Sequence, residues 1–382
     1  ERQKQLLQKG TEQYEQVRST FGDPLRRDAE LDGDGKLHMV FTQRLNGSGA
    51  AAYVTSCDQV PRNTTTRAAS NFGEIFYGFV PTTAGTNANS SAQPPGWFAF
   101  MTRTVIHEVK HIASFSARFA NNAPVFEQSW LEEGTARHAE EVWARASLHR
   151  VPARSNQSYG AQTFNGLFCD FNVANAGCAS GDPLRRPSLG MRRHFDEIRP
   201  KLDEPWNWSP YGDANGQSGA VFYQTTWSLV RYVIDRYGAS DAQFLGALNQ
   251  STTSGVTNLS TVAGAPMSRL IGGWGLALFA DDYPGLAAVN PDADFPTWNL
   301  RGIYGGLHVD PVWATTWPTP YPIAPVQLSF GSFVSQRTGL RGGAHAFYEL
   351  SGTASAPQML DVRALGGGAP SANLRIAIMR LQ

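Results

Sequence analysis

The chain lacks three features that commonly define a protein class: net charge, long apolar segments and a large complement of cysteine. Its 382 residues carry 32 lysine and arginine residues against 32 aspartate and glutamate residues, so the formal net charge is zero. This balance argues against a nucleic-acid partner or an anionic membrane partner, since both favour basic proteins. No apolar run reaches the length needed to span a bilayer. We therefore expect neither nucleic-acid binding nor a membrane span.

Three cysteines are present. Cys169 and Cys178 lie in a short polar loop, where they either close a small disulfide ring or remain reduced thiols, and Cys57 is left over in the first case. Lysine is scarce relative to arginine, and the chain begins at Glu1 rather than at methionine. These features predict a secreted protein whose leader has been removed.

The strongest motif is His107-Glu108-Val109-Lys110-His111, an H-E-x-x-H pattern. On a helix, residues four apart face the same side, so the two imidazoles would coordinate one metal ion. Glu108 lies beside them, where it would take a proton from a metal-bound water.

The flanking residues support a helix at this motif. Val105, Val109 and Ile112 fall on the side opposite the two histidines, so this helix would bury one face and present the motif on the other. The alternative is a surface helix that carries two unrelated histidines.

A catalytic zinc site needs a third protein ligand and an open position. The metzincin pattern would place glycine and then histidine soon after the motif, but Ser114 and Ala117 occupy those positions. The next helix begins with Ser129 and Glu132, which match a capping box and give Glu132 a local structural role. Glu133 is then left available to bind metal.

The combination of H-E-x-x-H with Trp130-Leu131-Glu132-Glu133-Gly134 resembles the gluzincins, the zinc peptidase clan of thermolysin and aminopeptidase N. In that clan the glutamate before the glycine is the third ligand, so the resemblance implies that Glu133 joins His107 and His111 around one catalytic Zn²⁺. Within the clan the chain most resembles the hyicolysin-like bacterial neutral metallopeptidases. The matching blocks are Tyr14–Pro24, Leu31–Val40, Glu133–Glu140 and Arg231–Gly238.

The resemblance also implies further site residues. Gluzincins place a tyrosine or histidine donor beside the developing oxyanion, and Tyr211 is our first candidate and Tyr223 the second. Each has the alternative of simple packing or surface exposure. Glu140 lies two turns after Glu133 and is either a carboxylate that orients a ligand histidine or a solvated charge. We interpret His138 as structural or exposed.

The expected function is that of a secreted zinc endopeptidase acting on proteins or peptides. An aminopeptidase of the same clan is an alternative, although the G-x-M-E-N motif that those enzymes use is missing upstream of His107. A non-catalytic zincin-like binding protein is a second alternative, but such proteins usually lose the catalytic glutamate, and Glu108 is intact.

The expected fold is α+β and thermolysin-like. A helix and a strand-rich lobe would occupy 1–104, with Ile75–Phe79 as either the substrate-pairing edge strand or an interior strand. A helical zinc-binding lobe would occupy 105–317. Prolines cluster after 317, and the β-prone runs that follow predict a small β-sandwich over 318–382.

Calcium is a weaker expectation. Asp28, Glu30, Asp32 and Gly33 match the start of an EF-hand loop, but Met39 stands where the closing glutamate belongs. A turn built on Asp-Gly is the favoured interpretation of this segment.

Overall fold

The structure is a computed structural model, and it describes most of the chain. The described residues are 2–81, 94–148, 150–159, 191–212, 217, 219–284, 286, 291–311, 313–329, 339–351, 359–364 and 366–380. The predicted Cys169–Cys178 pair lies outside them. Within them, Cys57 has no disulfide partner. None of the helices in the described part combines the length and apolar character that a bilayer crossing requires.

The N-terminal part consists of one helix and a small mixed sheet. The helix expected in this part is α1, which spans Arg2–Thr20. The strands are β1 (His38–Phe41), β2 (Ala52–Tyr53) and β3 (Ile75–Gly78), in the order β1-β3-β2. Strand β3 pairs in parallel with β1 and antiparallel with β2. The helix and the short strands place the described part in the α+β class.

Of the two alternatives for Ile75–Phe79, the structure shows the interior strand and not the substrate-pairing edge strand. Strand β3 is hydrogen-bonded on both sides, so it lies in the centre of the described sheet. Its Phe76 side chain is fully buried, and Phe79, which follows the strand, is also buried. The sequence shows that this segment is apolar and β-prone, but it carries no signal that distinguishes a central strand from an edge strand.

Two helices carry the predicted metal motif. Helix α2 spans Pro94–Ala120, and helix α3 spans Ser129–Val142 before it continues as a π-helical turn over Trp143–Leu148. The Trp97 indole donates a hydrogen bond to the Phe79 carbonyl at 2.8 Å, which ties α2 to the end of the sheet. The sheet and α1 thus provide the support on which α2 rests.

The remaining described α-helices follow α3 in the chain and form a helical lobe. They are α4 (Arg192–Asp203), α5 (Ala220–Tyr237), α6 (Asp241–Gln250), α7 (Gly255–Ala263), α8 (Met267–Ala280) and α9 (Leu300–Val309). All six lie within 105–317, where the sequence predicts a helical lobe.

Helix α5 packs closely against α3. A Cβ placed on Gly134 would lie 2.3 Å from Cγ2 of Thr226, so only glycine permits this approach. His138, predicted to be structural or exposed, is fully buried at the same interface, and its Nε2 donates to the Trp227 carbonyl at 3.1 Å. This contact fixes the rotation of α3, and with it the direction of the Glu133 side chain one residue before the glycine.

The C-terminal segment contains less sheet than predicted. Strands β4 (Val326–Ser329) and β5 (Tyr348–Ser351) form a two-stranded parallel sheet. The described residues of Gln358–Arg363 and Leu374–Leu381 form no strand, and Met359 and Ile378 are 91% and 83% exposed. Alternating apolar residues need a facing sheet to cover them, and the described residues provide none here. The sandwich therefore stays a prediction.

Candidate metal centre

The structure brings the three predicted metal ligands together. The His107 and His111 rings lie one helical turn apart on α2, with centroids separated by 4.9 Å. Glu133 approaches from α3, and its Oε2 lies 3.2 Å from His107 Nε2 and 3.8 Å from His111 Nε2. Ligand atoms bound at 2.0–2.1 Å to a tetrahedral zinc ion are about 3.3 Å apart. The observed separations are therefore close to those of a zinc ligand set.

Carboxylates hold the outer nitrogen of each imidazole. His107 Nδ1 lies 2.9 Å from Glu140 Oε1, and His111 Nδ1 lies 2.7 Å from Glu132 Oε1. A carboxylate accepts a hydrogen bond, so each Nδ1 carries a proton, and each Nε2 faces Glu133 and offers its lone pair to a metal ion once its own proton has left. Both imidazoles therefore present the nitrogen, tautomer and orientation that metal binding requires.

The capping-box interpretation of Glu132 is wrong. The N-cap residue of α3 is Gln128, and the Glu132 carboxylate instead points towards α2. There it accepts hydrogen bonds from Ser114 Oγ at 2.8 Å and from His111, and it pairs with Lys110 Nζ at 2.8 Å. Burial raises the pKa of Glu132, but Lys110 and His111 outweigh it and hold the pKa far below its usual range. Glu132 therefore remains ionised and orients His111.

Glu140 performs the same task for His107. Its side chain is only 4% exposed, which excludes the alternative of a solvated charge. Arg137 Nη1 lies 3.1 Å from its carboxylate, and Arg103 Nε lies 3.2 Å away. Burial raises the pKa of Glu140, but the two guanidinium groups and His107 lower it well below its ordinary value. A fixed negative charge thus supports the buried side of His107.

The ligand set attracts positive charge. Burial lowers the pKa of His107, but its hydrogen bonds to Glu133 and Glu140 outweigh this effect and raise the pKa to about 9. Burial raises the pKa of Glu133, and the two histidines lower it below its ordinary value by a larger amount. The raised pKa of His107 and the lowered pKa of Glu133 both indicate that positive charge is stabilised between these groups, and a bound cation would supply that charge. Two imidazole nitrogens and one carboxylate oxygen are the usual donors of a catalytic zinc ion, so the residues present fit zinc.

Glu108 is placed to act as a base. It is half-buried beside the two histidines, and among the described residues no group hydrogen-bonds to its carboxylate. Burial raises its pKa, while the charges of His107 and His111 oppose that shift. The ligand atoms of His107, His111 and Glu133 lie within 4.8 Å of one another, and Glu108 is not part of this group. The carboxylate is thus adjacent to the ligand set and available for proton transfer.

Tyr211 lies against the start of α3. Its ring packs edge-on against Trp130 with a centroid separation of 5.1 Å, and the preceding Pro210 carbonyl accepts a 2.7 Å hydrogen bond from Thr226. Burial raises the pKa of Tyr211 to about 12, so the hydroxyl stays protonated. It has no hydrogen-bond partner among the described residues, which leaves it able to donate.

Tyr223, the second candidate, has a different environment. The Arg137 guanidinium carbon lies 5.7 Å from the centre of its ring. Arg137 in turn pairs with Glu140, so Tyr223 packs on the residues that support His107. The Tyr211 hydroxyl has no hydrogen-bond partner within the described part of the chain, so Tyr211 stays the first candidate.

A second buried ionic network, which no local sequence pattern indicates, lies behind the centre. Glu141 is fully buried; its Oε1 lies 3.2 Å from Arg145 Nε, and its Oε2 accepts a 2.9 Å hydrogen bond from the Trp227 indole. Burial raises the pKa of Glu141, but Arg231, His138 and Arg145 lower it well below its usual value. Two adjacent glutamates in a helical sequence suggest a solvated face, and only their tertiary partners distinguish the roles of Glu140 and Glu141.

No protein-family model matches the chain, and no curated protein is significantly similar to it.

Proposed function

We propose that this chain is a secreted zinc-dependent endopeptidase with a thermolysin-like arrangement of its site. The observation that carries the proposal is the convergence of His107 Nε2, His111 Nε2 and Glu133 Oε2, with Glu108 beside them. Its support from sequence is the resemblance of the motif and the W-L-x-E-G block to the gluzincins.

His107, His111 and Glu133 would hold the zinc ion. When bound, zinc supplies a Lewis acid that polarises a carbonyl group and lowers the pKa of water. Glu108 accepts the proton of the attacking water and delivers it to the leaving amine. The Tyr211 hydroxyl donates a hydrogen bond to the developing oxyanion.

The carboxylates behind the site hold the two histidine side chains in position. Glu132 and Glu140 hold the proton of each imidazole on Nδ1, so the Nε2 atoms remain directed at one point. Lys110, Arg103 and Arg137 neutralise these two carboxylates on their far side. The net effect is a rigid ligand set whose outer charges are balanced.

The first experiment is digestion of a casein-type substrate by the full chain before and after dialysis against a chelator. The proposal predicts that activity is lost with the metal and restored by about one equivalent of Zn²⁺. Proteolysis that persists in metal-free protein would contradict it, and zinc binding without hydrolysis would favour the non-catalytic binding protein.

A matched pair of internally quenched peptides separates the two enzyme alternatives. One has a free N-terminus, and the other is the same peptide with an acetylated N-terminus. An endopeptidase cleaves both at similar rates, whereas an aminopeptidase requires the free amine and leaves the acetylated peptide intact.

A further inference from the structure

A second cluster of acidic residues lies outside the zinc motif, where the loop before β1 meets the start of β3. Glu74 precedes β3 and is fully buried, yet neither of its carboxylate oxygens has a hydrogen-bond partner among the described residues. Burying a carboxylate is costly unless it is paired, hydrogen-bonded or bound to a metal ion. The arrangement around Glu74 therefore requires a compensating group.

The neighbours of Glu74 are also acidic. One carboxylate oxygen from each of Asp28, Asp32 and Glu74 lies within 4.8 Å of the other two. The backbone makes room for this approach, because a Cβ on Gly73 would lie only 2.8 Å from Asp32 Oδ2. Burial and the charges of Asp28 and Asp32 together raise the pKa of Glu74 to about 7. Three oxygen donors thus converge on one small volume.

The basic groups nearby have other partners. Arg27 Nε pairs with Glu30 Oε2 at 3.0 Å, and its Nη1 donates to the Gln59 carbonyl at 2.9 Å. His38 Nε2 faces the exposed side of the cluster, 3.1 Å from Asp34 Oδ2 and 3.4 Å from Asp32 Oδ2. Neither group hydrogen-bonds to Glu74. In the described part of the chain, no side chain hydrogen-bonds to the buried end of the cluster, and the Arg27 charge offsets only a small part of its negative charge.

We propose that Asp28, Asp32 and Glu74 bind a calcium ion that links the loop before β1 to the start of β3. Calcium prefers carboxylate oxygens at 2.3–2.6 Å, so ligands on opposite sides of the ion are about 5 Å apart. The separations in the cluster fall within that limit. Water and backbone carbonyls commonly complete the coordination of calcium, so three carboxylates are a sufficient protein contribution. Zinc prefers nitrogen and sulfur donors, so the two metal sites select different ions.

This site differs from an EF-hand. The EF-hand pattern uses Asp28, Glu30 and Asp32 of the loop, whereas the structure turns Glu30 away to Arg27 with its side chain 66% exposed. The ligand that completes the cluster is Glu74, which is 42 residues further along the chain than Asp32. A motif confined to one loop does not reveal such a partner.

The test is calorimetric titration of CaCl₂ into the full chain and three variants. Glu74→Gln keeps the size of the side chain and removes its charge, and Asp28→Asn does the same at a more exposed ligand. Glu30→Gln is the matched control from the same loop. Circular dichroism first establishes that each variant is folded, so if Glu74→Gln does not fold, Asp28→Asn provides the test.

We expect the wild type and Glu30→Gln to bind calcium with affinities that agree within about twofold. The folded ligand variants should bind at least tenfold more weakly, with one fewer calcium ion per chain. The proposal is overturned if the wild type takes up no calcium at millimolar concentration, since Glu74 would then be a buried neutral acid. It is also overturned if the folded ligand variants titrate like the wild type. Calcium uptake is measured without a peptide substrate, so this result is independent of the zinc peptidase proposal.

Discussion

Glu140 Oε1 lies 2.9 Å from His107 Nδ1, and this contact joins helices α2 and α3 behind the candidate zinc site. The carboxylate is buried and is itself paired with two arginines, so it cannot turn away to solvent. It therefore determines both the ring orientation of His107 and the nitrogen that carries its proton.

Glu140→Gln should weaken zinc binding by about 10- to 100-fold, since an outer carboxylate that orients a ligand histidine contributes about that factor. The amide keeps the shape of the side chain but removes the negative charge that fixes the proton on Nδ1. Competition with a chromophoric zinc chelator measures the affinity. Glu204→Gln, at an exposed glutamate, is the control and should bind zinc like the wild type. An unchanged affinity in folded Glu140→Gln would show that Glu140 has no orienting role.

The C-terminal segment is expected to position Tyr211. Gly343 lies against the rings of Pro210 and Tyr211, and a Cβ there would be 2.9 Å from the Tyr211 ring. Gly343→Ala should therefore displace the tyrosine and lower kcat for peptide cleavage by about tenfold or more, the scale on which a misplaced oxyanion donor acts. Gly339→Ala is the matched control, because Gly339 has a similar positive φ and open space around it. Equal kcat values for the two variants would contradict an oxyanion role for Tyr211.

The buried Glu141 network should dominate the stability of the helical lobe. Glu141→Gln removes a fully buried carboxylate that pairs with both Arg145 and Arg231, which then still share Asp241. Breaking a buried ion pair in this way costs about 3–5 kcal/mol of the free energy of unfolding. Urea denaturation followed by tryptophan fluorescence measures this difference.

Glu15→Gln is the control for that measurement. Glu15 pairs with Arg18 on the surface, with each side chain 53% exposed, and an exposed pair of this kind contributes about 0–1 kcal/mol. A loss for Glu141→Gln no larger than that of the control would show that the network does not stabilise the lobe.

His194 should make the protein less stable in mild acid. Burial lowers the pKa of His194 in the folded state from 6.5 to about 4, so the unfolded chain takes up the proton first as the pH falls. The stabilising contribution is complete above the unfolded pKa of about 6.5 and is lost as the pH falls towards 4. The linkage corresponds to a loss of about 2 kcal/mol between pH 7 and pH 5.

The measurement is the free energy of unfolding of the wild type and of His194→Gln at those two pH values. Other titrating groups are common to both proteins, so the difference between them isolates His194. The wild type should lose more stability than the variant on acidification. Equal losses would show that His194 is not held neutral in the folded state.

The sequence predicted the convergence of His107, His111 and Glu133 better than the contacts around them. The spacing of His107 and His111 on an amphipathic helix places both imidazoles on one face, because helix geometry is local. The structure brings Glu133 to them across two helices, as the resemblance to the gluzincins implied. The roles of Glu132 and Glu140 depend on tertiary contacts with α2, and a local capping pattern at Glu132 was therefore misleading.

The order of the strands in the sheet likewise depends on tertiary contacts that the local sequence does not reveal. Local β propensity located β3, but strand order depends on which strand pairs with which. The EF-hand-like pattern at Asp28 indicated an acidic loop, whereas its contact with Glu74 arises only because β3 returns beside β1.

The most direct test of the central claim compares zinc content with peptide hydrolysis in three proteins. The wild type should hold one tightly bound zinc ion per chain and cleave an internally quenched peptide. Glu108→Gln should hold the same zinc content and have no detectable turnover, because it loses the base and keeps the ligands. Glu133→Gln should lose both zinc and activity under the same dialysis. Full hydrolysis by Glu108→Gln, or wild-type zinc content in Glu133→Gln, would contradict the account.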